Sequence, residues 1–183
     1  MVNYLVAQSE FQLAFADSAF TLTKQNVIYD SSYFSLEYPN GDVPDDRGVC
    51  TDVVIRAYRK MGIDLQKEVH EDMRANFKAY PNNWGLKTTD KNIDHRRVPN
   101  LMAYFSRFGK VKKISSSYKD YVAGDVVCWS LNGQGGIPHI GIVSNKVSSD
   151  QLTPMIIHNI GAGQVIEDML FDYKIIGHYS FQK

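Results

Sequence analysis

Near Gly124 the hydrophobic period of this chain changes from helical to alternating, and it stays alternating to the end. Beyond that glycine, residues 125–131, 139–145, 155–160, 165–170 and 175–181 are short runs rich in Val, Ile and aromatic side chains, parted by turn residues. The turn at 132–138 is the most glycine-rich of these. An antiparallel sheet of about five strands is predicted. Because helical patterns come first and strands afterwards, the fold class is α+β and not a succession of βαβ units.

Ahead of the strands, residues 48–62 carry the clearest helical signal. Val53, Val54, Ala57, Tyr58 and Met61 recur on one face, Arg56, Arg59 and Lys60 load the later turns, and Gly62 suits the position just past the end. This spacing puts Cys50 in the first turn. Unpaired backbone N–H groups and the positive end of the helix dipole favour a thiolate there, so Cys50 is the candidate nucleophile.

The remaining segments are less regular. Residues 3–24 hold Leu5, Val6, Phe11, Leu13, Ala14, Phe15, Ala19, Phe20 and Leu22 in an imperfect stripe, read as one or two packing helices. Residues 27–30 form a short extended piece. A Pro-, Gly-, Asn- and Asp-rich loop at 33–46 then delivers the chain to Cys50, with Tyr38, Asp42, Asp45 and Asp46 as the polar groups nearest the helix entrance. Residues 64–117 read as a polar insert flanking a cleft, with a helix at 65–77, a loop at 80–94 and a helix at 99–108.

At 183 residues the chain is long enough for one domain with a substantial core, and residues 1–183 are read as that single domain. Twenty basic and twenty acidic side chains cancel, which argues against nucleic acid or an anionic membrane as the main partner. Two cysteines make no disulfide framework, and no apolar run reaches the length of a membrane span. His70-Glu71-Asp72 and Asp94-His95 offer metal-ligating side chains without a metal-binding spacing, so no metal or cofactor is expected. A monomer is expected.

Two histidines complete the chemistry. With a turn centred near Ser148 and Ser149, antiparallel pairing sets His139 directly opposite His158, with Cβ atoms about 4.5–5.5 Å apart. A cysteine, a base and a group that orients the base is the logic of an activated nucleophile, which assigns Cys50 as nucleophile, His139 as base and His158 as orienter. Cys128, inside a strand, is read as core. Arg96 and Arg97 suit a rim that recognises carboxylates, because the guanidinium fork matches that group. Trp84 and Asp52 are the other expected substrate-binding residues.

Asp125-Val-Val-Cys-Trp, His139-Ile-Gly-Ile-Val and Ile157-His158-Asn159, following the helix-start cysteine, resemble the NlpC-type, papain-like cysteine peptidases of bacterial cell walls. That resemblance implies a nucleophile-bearing helix packed on the sheet and both histidines on neighbouring strands. It further implies peptidoglycan stem peptides as substrate and export to the periplasm or cell envelope, with any export signal outside the present sequence. By the same resemblance Tyr38, twelve positions before the cysteine, lends its hydroxyl to the oxyanion site. In those peptidases the nucleophile commonly sits in Asp-Cys-Ser, whereas Val49-Cys50-Thr51 stands here. Tyr38-Pro-Asn-Gly-Asp-Val-Pro, Gly48-Val-Cys-Thr-Asp, Val69-His-Glu-Asp-Met and Asn92-Ile-Asp-His-Arg-Arg more closely resemble the bacterial family called domain of unknown function 1287. Two other classes remain open: a catalytically silent cell-wall-binding module, and a different acyl-transfer enzyme such as an amidase or transpeptidase.

Overall fold

A computed structural model describes residues 9–133 and 136–183. Leu5 and Val6 of the amino-terminal stripe, and Gln134 and Gly135 of the glycine-rich turn, lie outside the described residues. Among these described residues four helices pack on a six-stranded antiparallel sheet of order β3-β8-β4-β5-β6-β7, formed by Lys110–Val111, Lys174–Ser180, Val126–Ser130, Pro138–Val147, Pro154–His158 and Val165–Glu167 respectively. The fold is therefore α+β. A separate two-residue parallel bridge joins β1 (Ile28–Tyr29) to β2 (Arg47–Gly48), bringing Tyr29 alongside Gly48.

Helix α1 (Glu10–Leu22) opens on a capping box, in which Ser9 and Gln12 satisfy each other's backbone amides. Helix α2 (Cys50–Lys60) begins at the cysteine, as its spacing predicts. Its end is a Schellman motif: the amide of Gly62, at φ 78°, donates to the Arg59 carbonyl and that of Ile63 to the Tyr58 carbonyl. Val53, Val54, Ala57 and Tyr58 are buried between α1 and the sheet, and Phe15 stacks on Tyr58 at 4.1 Å.

Two expectations need correction. The sheet has six strands and not five, because Lys110–Val111 adds a short edge strand against β8. The 64–117 stretch is also less of a polar insert than its composition indicates. Its helices α3 (Leu65–Ala75) and α4 (Val98–Phe108) supply Leu65, Val69, Met73, Leu101, Tyr104 and Phe105 to the same core that α2 enters. Few aliphatics are needed when they all fall on one helical face.

The sheet separates two apolar clusters. Cys128, Ile140, Ile142 and Ile157 face the helices, whereas Val127, Trp129, Val143 and Ile156 face a smaller cluster with Tyr121, Met169 and Leu170.

Candidate active site

The entrance to α2 is fastened from three directions. Asp52 reaches back to accept from the Val49 amide at 2.7 Å, Thr51 donates to the Arg96 carbonyl at 3.1 Å, and the Asn159 amide donates to the Gly48 carbonyl at 3.2 Å. These ties set Cys50 where β5 meets the helix, only 7% exposed.

Burial decides the state of the thiol. Loss of solvent pushes Cys50 up to about 12; the amides of Ile140, Thr51 and Cys50 itself pull downward, and the Asp52 charge adds to the rise. The expected helix-start thiolate is corrected accordingly: the amides lower the thiol, but desolvation outweighs them. The donor from Ile140 is informative in another way, since it puts the sulfur one residue along β5 from His139.

Both histidines are buried, and they are joined. His139 Nε2 lies 2.9 Å from His158 Nδ1, with the rings nearly perpendicular and 5.0 Å apart. They do not stand directly opposite, as the sequence predicts. Asp150 accepts from the Leu152 and Thr153 amides and from the Ser148 hydroxyl, so the hairpin turns farther along, and an irregularity follows between Val143 and Val147. The resulting pairing of Ile142 with Ile157 sets Gly141 against His158 and leaves His139 one diagonal away. A Cβ at Gly141 would meet the His158 Cβ at 3.2 Å and the Ile156 Cγ2 at 2.8 Å, so the glycine makes room for the ring contact.

Sequence reasoning missed the next member. Across β6 and β7, Ile156 pairs with Glu167, which makes Glu167 the diagonal neighbour of His158 on the other side. Its Oε2 lies 3.0 Å from His158 Nε2. Only the strand register reveals this contact. Burial lowers His158 while Glu167 opposes that shift, and burial together with the His158 charge lowers His139 to about 3. His139 is therefore neutral near pH 7. Among the described residues no hydrogen bond joins Cys50 to His139, and neither histidine lines the cleft at the cysteine.

A cleft of about 220 Å³ opens at Cys50, lined by Tyr29, Trp84, Arg96, Arg97 and Pro138 among others. The two arginines differ sharply within it. Arg96 is closed by Asp52, which takes its Nε at 2.9 Å and its Nη2 at 3.0 Å, while Nη1 donates to the Ser32 carbonyl. Asp52 and Arg96, both expected to bind substrate, instead hold each other in a buried ion pair beneath the α2 entrance. Arg97 stacks on Trp84 at 4.0 Å, and its Nη1 has no hydrogen-bond partner, with Asp94 Oδ1 at 3.8 Å and itself unpartnered. Asp94 is raised to about 6 by burial.

Tyr38 is placed elsewhere. Its ring packs edge-on against His70 at 5.2 Å, and burial, with the Glu71 and Asp64 charges adding to it, raises its pKa. The tyrosine in the Cys50 cleft is Tyr29, drawn in by the β1–β2 bridge. A parallel pairing of two residues leaves no periodic signal, so the sequence could not choose between them. Cys128 lies in the core, near enough for the Cys50 charge to add to the burial that raises its own thiol.

A larger groove of about 650 Å³ lies away from the cysteine, bordered by Asp42, Arg56, Arg59 and Lys60. Arg56 and Arg59 are both committed there to Asp42 and nearby carbonyls. It contains no nucleophile, so the smaller cleft is the candidate site. Among the described residues no group of three or more His, Cys, Asp and Glu side chains is arranged to hold a metal ion. No described helix is long and apolar enough to cross a membrane.

Fold and site together define an α+β domain with a helix-start cysteine and, on neighbouring strands, a buried, carboxylate-ended pair of histidines. The chain belongs to the family described as Domain of unknown function (DUF1287), which matches residues 16–181. It is similar to the uncharacterized protein YijF of Escherichia coli (strain K12), with 52% identity over 174 residues, covering 95% of this chain and 83% of that protein. No solved structure matches the chain.

Proposed function

We propose that this protein is a cysteine hydrolase acting on an amide bond, with Cys50 as nucleophile, His139 as general base and His158 as orienter. The observation that carries the reading is the 2.9 Å contact between His139 Nε2 and His158 Nδ1 on the strand next to the thiol. It commits one ring nitrogen of His139 and leaves Nδ1 to exchange a proton. A buried thiol near 12 and an imidazole near 3 do not form an ion pair at rest. The proton therefore passes from sulfur to Nδ1 as the sulfur attacks the carbonyl carbon.

The C–N bond then breaks, His139 returns the proton to the leaving amine, and a thioester remains on Cys50. Water, deprotonated by His139, hydrolyses the thioester to a carboxylic acid and the free thiol. Amides at the start of α2 are suited to the tetrahedral oxyanion. Arg97, a guanidinium lining the cleft at the cysteine, suits a substrate carboxylate next to the scissile bond.

For the substrate we propose peptidoglycan stem peptides cleaved on a papain-like, NlpC-type scaffold. The Asp125-Val-Val-Cys-Trp, His139-Ile-Gly-Ile-Val and Ile157-His158-Asn159 motifs support this, as does Arg97 in the lining of the cleft. The test is mass spectrometry of peptidoglycan and its soluble stem peptides after incubation with wild type and with Cys50→Ala. New fragments with wild type alone are expected, and their masses name the bond. Intact substrates in both would reject the peptidoglycan assignment. The high thiol and low imidazole values favour, as the competing reading, a silent module that binds the same ligand; it predicts retention of the peptides without cleavage.

A further inference from the structure

We propose that Glu167 is a positioning residue that sets the direction of the whole histidine pair, so that His139 Nδ1 is left without a proton. The catalytic consequence rests on the hydrolase reading above, but the structural claim does not. A carboxylate has only acceptors to offer. Its 3.0 Å contact with His158 Nε2 therefore requires the proton on that nitrogen. In a neutral ring His158 Nδ1 is then bare, and it accepts from His139 Nε2–H across 2.9 Å. The remaining nitrogen, His139 Nδ1, is left without a proton, as a base must be.

Nothing else in the pair breaks its symmetry. Two neutral imidazoles joined by one hydrogen bond are equally satisfied with the proton pattern reversed, which would give His139 an Nδ1–H and no free basic nitrogen. Glu167 is the single acceptor-only group at either end of the pair among the described residues. It sits on the edge strand β7 with its side chain half exposed, so replacing it does not open a cavity in the core.

The experiment is nitrogen NMR of the imidazole rings at neutral pH, on uniformly labelled full chain, for wild type, Glu167→Gln and Glu167→Lys. His139→Gln and His158→Gln assign the signals. In wild type both rings are expected to be protonated at Nε2 and bare at Nδ1. Glutamine offers donor and acceptor alike, so a mixture is expected, with both nitrogens of each ring moving toward intermediate shifts. Lysine, a donor only, is expected to abolish the wild-type pattern or invert it. Thermal unfolding of the variants at the wild-type temperature verifies that the fold is kept.

Ring signals unchanged in both variants would overturn the proposal. Hydrolysis of stem peptides by the same samples separates the two claims. A rate loss of roughly ten- to a hundredfold in Glu167→Gln, with KM unchanged, is expected if both hold. Tautomers that respond in a protein without hydrolysis would leave Glu167 in its role and reject the hydrolase, whereas full activity with unresponsive rings would do the reverse.

Discussion

Two buried histidine systems share this sheet and have opposite characters. On β8, His178 places Nδ1 2.9 Å from the Lys113 carbonyl and Nε2 2.8 Å from Asp125, and its ring stacks on Tyr121 at 4.3 Å. Asp125 also takes donors from Gln12, Lys112 and Val122, so both ring nitrogens face acceptors that are themselves held. On β5 and β6, by contrast, His139 spends one nitrogen on His158 and keeps the other. Burial does not separate the two systems, since all three rings are shielded from solvent. What separates the two systems is a nitrogen of His139 left without a hydrogen-bond partner among the described residues, the property a base would need.

That contrast can be broken most decisively at His139. Replacing it with alanine is expected to lower stem-peptide hydrolysis by a factor on the order of a thousand or more with the fold retained, because the cysteine loses its base. His178→Ala should do the opposite. It leaves Asp125 short of a donor and is expected to cost about 2–4 kcal/mol in urea unfolding while kcat of the folded fraction holds. Equal loss of activity in the two variants would erase the distinction drawn between them.

The arginines sharpen the comparison at smaller scale. Arg96→Ala strands a buried Asp52 under the α2 entrance and is expected to destabilise by about 3–5 kcal/mol. Arg97→Ala should unfold near the wild-type midpoint but raise KM about tenfold, the loss of one charge-assisted contact to substrate. Unchanged KM would remove Arg97 from the site.

Acid titration reads the buried rings together. His139 and His95 are each held near 3 by burial, against an ordinary value of 6.5. Between those values the unfolded chain binds protons that the native protein excludes, so stability is present above about 6.5 and is lost as pH falls toward 3. Asp94 has the opposite sign: raised from 3.8 to about 6, it contributes fully below 3.8 and that contribution is lost as pH rises through 6. The two histidines outweigh it, and a net loss of about 3 kcal/mol is expected between about pH 6.5 and pH 4, measured by urea unfolding.

Much of this arrangement was legible in the chain, and the illegible parts share a cause. Cys50 at the head of α2, the five strand-forming runs after Gly124 and the placing of His139 and His158 on neighbouring strands were legible, because local periodicity marks each element. The register was not, because Asp150 shapes a wider turn than the serines before it indicate. Glu167 was hidden behind that register. The β1–β2 bridge and β3 are two residues long and carry no period, so Tyr29 was passed over for Tyr38. Likewise, only packing shows that Arg96 is consumed by Asp52 and that the thiol at a favourable helix start is desolvated.

The central claim is that Cys50 answers to His139, and the rate of alkylation of Cys50 against pH tests it without a substrate. Wild type is expected to react at least about tenfold faster than His139→Ala near pH 7, through proton transfer to the ring. In His139→Ala the rate should climb steadily toward the high value of the isolated buried thiol, about 12. Superimposable rates and profiles would mean that the histidines do not reach the cysteine, and the account of the site would fail.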